Sequence, residues 1–94
     1  LWDGAGNTVK NNTCFNNSQS SPGRFSGIML TTTASSLITG NKCYDTQVTK
    51  TQKHGIEEFA NCRENTVSDN EARANAKEGY SLLGKEGRHN GNRD

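Results

Sequence analysis

Ninety-four residues, 29% of them hydrophobic and 22% charged, make one domain with a modest core. A net charge of +1 with no basic run leaves no electrostatic footprint for nucleic acid. No stretch approaches the ~20 apolar residues that span a bilayer, so no membrane partner is expected.

Taken in chain order, the apolar residues come in short runs. "NTVKNNTCFNN" opens at Asn7, "SGIML" follows at Ser26 and "SLITGNKCYDT" at Ser36. "HGIEEF" then begins at His54, "NTVSDNEARAN" at Asn65 and "EGYSLL" at Glu78. Gly, Asn, Ser or Thr flank each run, which predicts very short strands separated by tight bends. Nothing before Asn70 shows a helical period, and only "DNEARANAKEGY" has the composition for a helical turn or capping helix. Competing disorder is argued against by the single proline and by an internal recurrence.

That recurrence is a shift of 29 residues. Val9 falls on Ile38 and Val67, Asn12 on Asn41 and Asn70, and Cys14 on Cys43 and Ala72. Leu1, Leu30 and Phe59 suggest a further column, and the third copy is shorter after Ala72. Columns that keep their character while loops change length indicate a solenoid. About three short strands per copy is the arithmetic of one coil of a parallel β-helix. Asparagine suits such a chain, because sharp corners need residues that tolerate the left-handed region. With coils stacked ~4.8 Å apart, Asn12, Asn41 and Asn70 are expected to form an amide ladder. Turn asparagines without bonds between coils are the alternative.

Cys14 and Cys43 would face the core one above the other, within reach of a disulfide. Parallel side chains make the bridging torsion awkward, so free thiols filling an apolar column are the expectation, and Cys62 has no evident partner. The repeats "NTVKNNTCFNN", "SLITGNKCYDT" and "GIEEFANCRENTVSDN" resemble those of the right-handed parallel β-helix, or pectate-lyase-like, superfamily. "NKCYDTQVTKTQKHGI" is similar to bacterial and phage members of polysaccharide-processing type. The resemblance implies an all-β, right-handed parallel β-helix of about three coils, approximately 1–29, 30–58 and 59–83, with a polar tail over 84–94. Lyases, hydrolases, epimerases and phage tailspikes share this fold, which therefore does not choose among them.

Side chains that could carry chemistry concentrate in "TKTQKHGIEEF": Lys53, His54, Glu57 and Glu58, with Lys50 nearby. Glycosidases need two carboxyl groups across a sugar bond, and lyases need a base and a cation beside a uronate. Glu57 and Glu58 are adjacent, so a regular strand points them to opposite faces. The extra residue in "GIEEF" relative to "GIML" suggests a bulge, and a solvated outer face is the plainer reading. His54 reads as a solvent-facing loop residue. Tyr44 and Asp45 are a second candidate, since sugars stack on aromatics and bond to carboxylates. Phe15, Tyr44 and Arg73 share a column that would form an outward stripe. Trp2 is either a sugar platform or a cover for core.

Asp3, Asp45, Asp69 and Asp94 are scattered, so neither a calcium site nor any cofactor is expected. The functional expectation is a fragment of a carbohydrate-active β-helix protein, extracellular or virion-borne, with its catalytic groups on other coils. A glycan-binding or tailspike segment without enzymatic activity is the alternative. Polysaccharide is the expected partner, together with further β-helix coils or other protomers at the open ends.

Overall fold

The computed structural model describes residues 1–94 and contains ten three-residue strands and no helix. In chain order they begin with β1 (Thr8–Lys10), β2 (Thr13–Phe15), β3 (Ile28–Leu30), β4 (Leu37–Thr39) and β5 (Lys42–Tyr44). The rest are β6 (Ile56–Glu58), β7 (Thr66–Ser68), β8 (Glu71–Arg73), β9 (Tyr80–Leu82) and β10 (Arg88–Asn90). They form three parallel sheets, ordered β1-β4-β7-β10, β2-β5-β8 and β3-β6-β9. This is an all-β parallel β-helix of about three coils. "DNEARANAKEGY" supplies β8 and the start of β9 rather than a helix.

The expected columns hold in two sheets. Val9 pairs with Ile38 and Ile38 with Val67; Cys14 pairs with Cys43 and Cys43 with Ala72. Their inward side chains, with Ile28, Leu30, Ile56 and Cys62, make the core. The Leu30–Phe59 column does not form. β3 and β6 pair at a spacing of 28, Leu30 lying on Glu58, through three unbroken pairs that exclude a bulge. The extra residue sits instead in the turn after Glu58, because Ala34 pairs with Arg63 again at the longer spacing.

A glycine opens each strand of the third sheet for a steric reason. A Cβ on Gly55 would run into the Ala72 side chain and come within 3.1 Å of Cys43 Cβ and 3.0 Å of the Gly79 carbonyl oxygen. Cys43 and Ala72 in the second sheet and the glycines of the third let the coil close tightly.

The segment expected to be a polar tail is part of the solenoid. Arg88, His89 and Asn90 pair with Thr66, Val67 and Ser68, and Arg93 bridges to Glu71. Its composition hid it, since Arg88, His89 and Asn90 are all exposed and none is apolar. Tyr80 ties the segment to the coil before it: its hydroxyl lies 2.9 Å from the Asn70 carbonyl and 2.7 Å from that of Arg93, donating to one at a time. Burial pushes its phenol up to about 12.

The amide ladder forms. Asn12 Nδ2 donates to Asn41 Oδ1 at 3.1 Å, Asn41 Nδ2 to Asn70 Oδ1 at 3.0 Å, and Asn70 Nδ2 to Asn92 Oδ1 at 3.0 Å. Each acceptor also takes the backbone N–H of the preceding rung. The second hydrogen of each inner amide reaches back to a carbonyl of the previous coil: Val9, Ile38 and Val67 in turn. The left-handed corner itself belongs to the residue before each rung, Asn11, Gly40, Asp69 and Gly91, with φ of 57°, 67°, 54° and 68°. Asn11 lies over Gly40 and Asp69 over Gly91, so side chain and glycine alternate up the corner.

All three cysteines are free. Desolvation, and then the neighbouring Cys14, push the Cys43 thiol up to about 12. Thiol titration is expected to count three groups in denaturant. In the folded protein Cys43 should alkylate at least tenfold more slowly than half-buried Cys14, the difference vanishing on unfolding. Equal rates in the native state would contradict the packing.

Candidate functional site

The long connections from the second to the third sheet bring together the charged side chains singled out in the sequence. Lys53 Nζ donates to Glu57 Oε2 at 2.8 Å, and Ser26 Oγ donates to Glu57 Oε1 at 2.8 Å. The His54 backbone N–H donates to Ser26 Oγ at 3.2 Å. Glu57 points outward from β6 yet is only 4% exposed, because this cluster covers it. Desolvation opposes its ionisation, but the Lys53 and Ser26 hydrogen bonds and the charges of Lys53 and His54 prevail and hold its carboxyl below the usual range.

His54 is buried, contrary to the solvent-facing loop expected. Its Nδ1 sits 2.7 Å from the Glu78 carbonyl, with Glu78 Oε2 at 3.8 Å. A carbonyl only accepts, so Nδ1 carries a proton. No buried side-chain nitrogen or oxygen lacks a partner, and Nε2 makes no hydrogen bond, so it opens to solvent.

Glu57 and Glu58 do point to opposite faces, but neither lies on a solvated surface. Glu58 is inward and fully buried between Leu30 and Leu82. Asn65 Nδ2 donates to its Oε2 at 2.8 Å and the Gly84 N–H to its Oε1 at 3.0 Å. It ties the shortened last loop to the core and cannot meet a substrate.

Tyr44 and Asp45 are adjacent in sequence but are held by different neighbours. The Phe15 and Tyr44 rings are stacked with centroids 5.5 Å apart and planes 9° apart, and Arg73 lies 5.7 Å from the Tyr44 centroid on the next coil. The outward stripe exists: Phe15 and Arg73 lie on the two sides of the Tyr44 ring, and Phe15 itself is 51% exposed. Asp45 is 2% exposed and accepts from the N–H groups of Gln47, Thr51 and Gln52 at 2.9, 2.9 and 3.0 Å. Desolvation raises its pKa, but these three donors and the Gln47 side chain outweigh it and lower the carboxyl to about 2. Asp45 therefore organises its own loop.

The sign of that linkage is definite. A carboxyl held below its unfolded value of about 3.9 stabilises the fold above that pH and loses its contribution as pH falls through about 2. Hydrogen exchange at the Thr51 and Gln52 amides should accelerate, beyond the intrinsic pH trend, between about pH 4 and pH 2. Asp45→Asn should remove that acid step.

A groove the sequence reading passed over crosses the corner between the third and first sheets. One open depression of about 360 Å³ is lined by Glu64, Thr66, Glu86 and Arg88. A second, of about 380 Å³, shares Glu86 and adds Ala60, Asn61, Cys62, Arg63 and Lys85. Arg63 lies on Lys85 and Thr66 on Arg88 in adjacent coils. Reading 84–94 as a tail removed half of this surface. The signal that could have found it is the recurrence of a cation followed by glutamate, Arg63-Glu64 and Lys85-Glu86.

No curated protein and no solved structure matches the chain. The family model described as "Right handed beta helix region" matches residues 1–92, in keeping with the stacked parallel sheets. The chain belongs to the right-handed β-helix family.

Proposed function

We propose that these coils are the glycan-holding scaffold of a carbohydrate-active β-helix protein of the pectate-lyase-like kind, with the bond-breaking groups on other coils. The observation that carries this reading is the polar groove over Arg63, Glu64, Thr66, Lys85, Glu86 and Arg88. Sugar hydroxyls match planar guanidinium and carboxylate groups, and three cations can neutralise the carboxylates of a uronate chain. The reading places no bond-breaking group among the other carboxylates. Asp45, Glu57 and Glu58 already have backbone, lysine, serine or amide partners inside the scaffold. Such a polymer is met outside the cell or on a virion, the setting this reading implies.

Affinity electrophoresis through gels containing alginate or pectin tests it. Retardation by at least one polymer is expected, weakened by salt and by the double variant Arg63→Ala, Arg88→Ala. Absorbance near 235 nm should stay flat with both. Free migration through both gels overturns the glycan reading, and rising absorbance overturns the non-catalytic one.

A further inference from the structure

We infer, taking the groove as a glycan site as proposed above, that its ligand is a sparsely acidic chain in which neutral sugars separate the charged ones. The groove is the charged part of a longer strip that follows the solenoid axis over the corner between the third and first sheets. Pairing fixes its rows. Ala5 lies beside Ala34, Ala34 beside Arg63 and Arg63 beside Lys85. On the far side of the corner Thr8 lies beside Leu37, Leu37 beside Thr66 and Thr66 beside Arg88. Between these two rows the corner is turned by Gly6, Ser35, Glu64 and Glu86, all left-handed with φ from 50° to 67°. None of the residues in the three rows is buried.

Level by level, the strip is nearly uncharged. The first level presents Ala5, Gly6 and Thr8, and the second Ala34, Ser35 and Leu37. At the third, Arg63 is cancelled by Glu64, whose Oε1 lies 3.4 Å from its Nη2. Only at the fourth do cations outnumber carboxylates, Lys85 and Arg88 against Glu86. The nearest charges on the first level, Asp3 and Lys10, are of opposite sign and lie outside the three rows. Coils repeat every ~4.8 Å, close to the advance of one sugar in an extended chain, so each level meets about one sugar. A polymer with a carboxylate on every residue would set charges on three levels that have no net cation to receive them, one of them next to Glu64. Desolvating an unpaired carboxylate, or placing it beside a like charge, weakens binding. A chain with one acid among neutral residues sets that acid on Lys85 and Arg88. Its neutral neighbours meet the exposed Leu37 side chain and the hydroxyls of Ser35 and Thr66. Charge complementarity thus selects this occupant over a fully acidic polymer.

Affinity electrophoresis of the full chain through pectin and through alginate, each esterified to graded extents, tests this. In at least one of them retardation should be strongest at intermediate esterification, with the apparent Kd at least about threefold higher for the fully de-esterified polymer. Full esterification should weaken binding and remove its salt dependence. Leu37→Lys adds a cation at the second level and should move the optimum toward lower esterification. Ala34→Lys, at the same level, takes its place if circular dichroism shows that variant unfolded. Binding that strengthens steadily up to the fully acidic polymer overturns the inference, and so does an optimum that the added lysine leaves where it was. Free migration at every degree of esterification, in both polymers, instead overturns the glycan reading of the groove, and its charge preference with it.

Discussion

Asn70→Leu should destabilise the protein by about 4 kcal/mol or more, lowering its thermal midpoint by roughly 20 °C or leaving it unfolded. The side chain is 1% exposed and makes four kinds of bond at once. Its loss strands the backbone N–H and the amide of Asn41, the carbonyl of Ile38 and one acceptor bond of Asn92. Each buried polar group left without a partner costs about 1–3 kcal/mol, and leucine of similar volume repairs none of them. A domain this small has roughly 5–10 kcal/mol to lose. Asn12→Leu provides the contrast. Asn12 is exposed and only donates within the chain, so about 1 kcal/mol is expected there. Chemical denaturation of the pair measures the difference. Equal losses at the two positions would mean that the amides are ordinary turn residues after all.

Gly55→Ala should be nearly as damaging, at about 2–3 kcal/mol, although it adds a single methyl group. The new carbon would overlap the Ala72 side chain and crowd the Gly79 carbonyl oxygen at 3.0 Å. Backbone and a β-carbon cannot swing aside as a long side chain can. Gly23→Ala is the control, with φ of 77° but nothing within 4 Å of the added carbon, so only the backbone term of about 1 kcal/mol applies. Ala72→Gly placed beside Gly55→Ala should recover at least 1 kcal/mol, read as a coupling energy in a double-mutant cycle. If the two changes merely add, the third sheet is not packed against the second as described.

The first two sheets were legible because Val9, Ile38 and Val67, and Cys14 with Cys43, repeat one residue type at one spacing. The third was legible only in part. Gly27, Gly55 and Gly79 mark its strands, but the compensating residue hides in the turn after Glu58, so residue type alone assigned Leu30 to Phe59. The fourth strand of the first sheet, Arg-His-Asn, has no hydrophobic signal and declares itself through backbone pairing alone. Site reading failed for a related reason. A sequence shows that Asp45 and Glu58 are carboxylates, but not that three N–H groups converge on the one, or that Asn65 and Gly84 enclose the other. Lys53, His54 and Glu57 did gather, close in sequence and joined through Ser26 from the coil before.

In the Asn12–Asn41–Asn70–Asn92 row each accepting oxygen points toward the first coil, and one amide hydrogen of each donor points toward the last. Side-chain dipoles therefore add along the solenoid axis, much as peptide dipoles add along an α-helix, and each polarises its neighbour. The first coil is the negative pole of this row and the last coil the positive one. A β-helix with such a row carries an electrical polarity that its net charge of +1 does not reveal, and that polarity grows with every coil added.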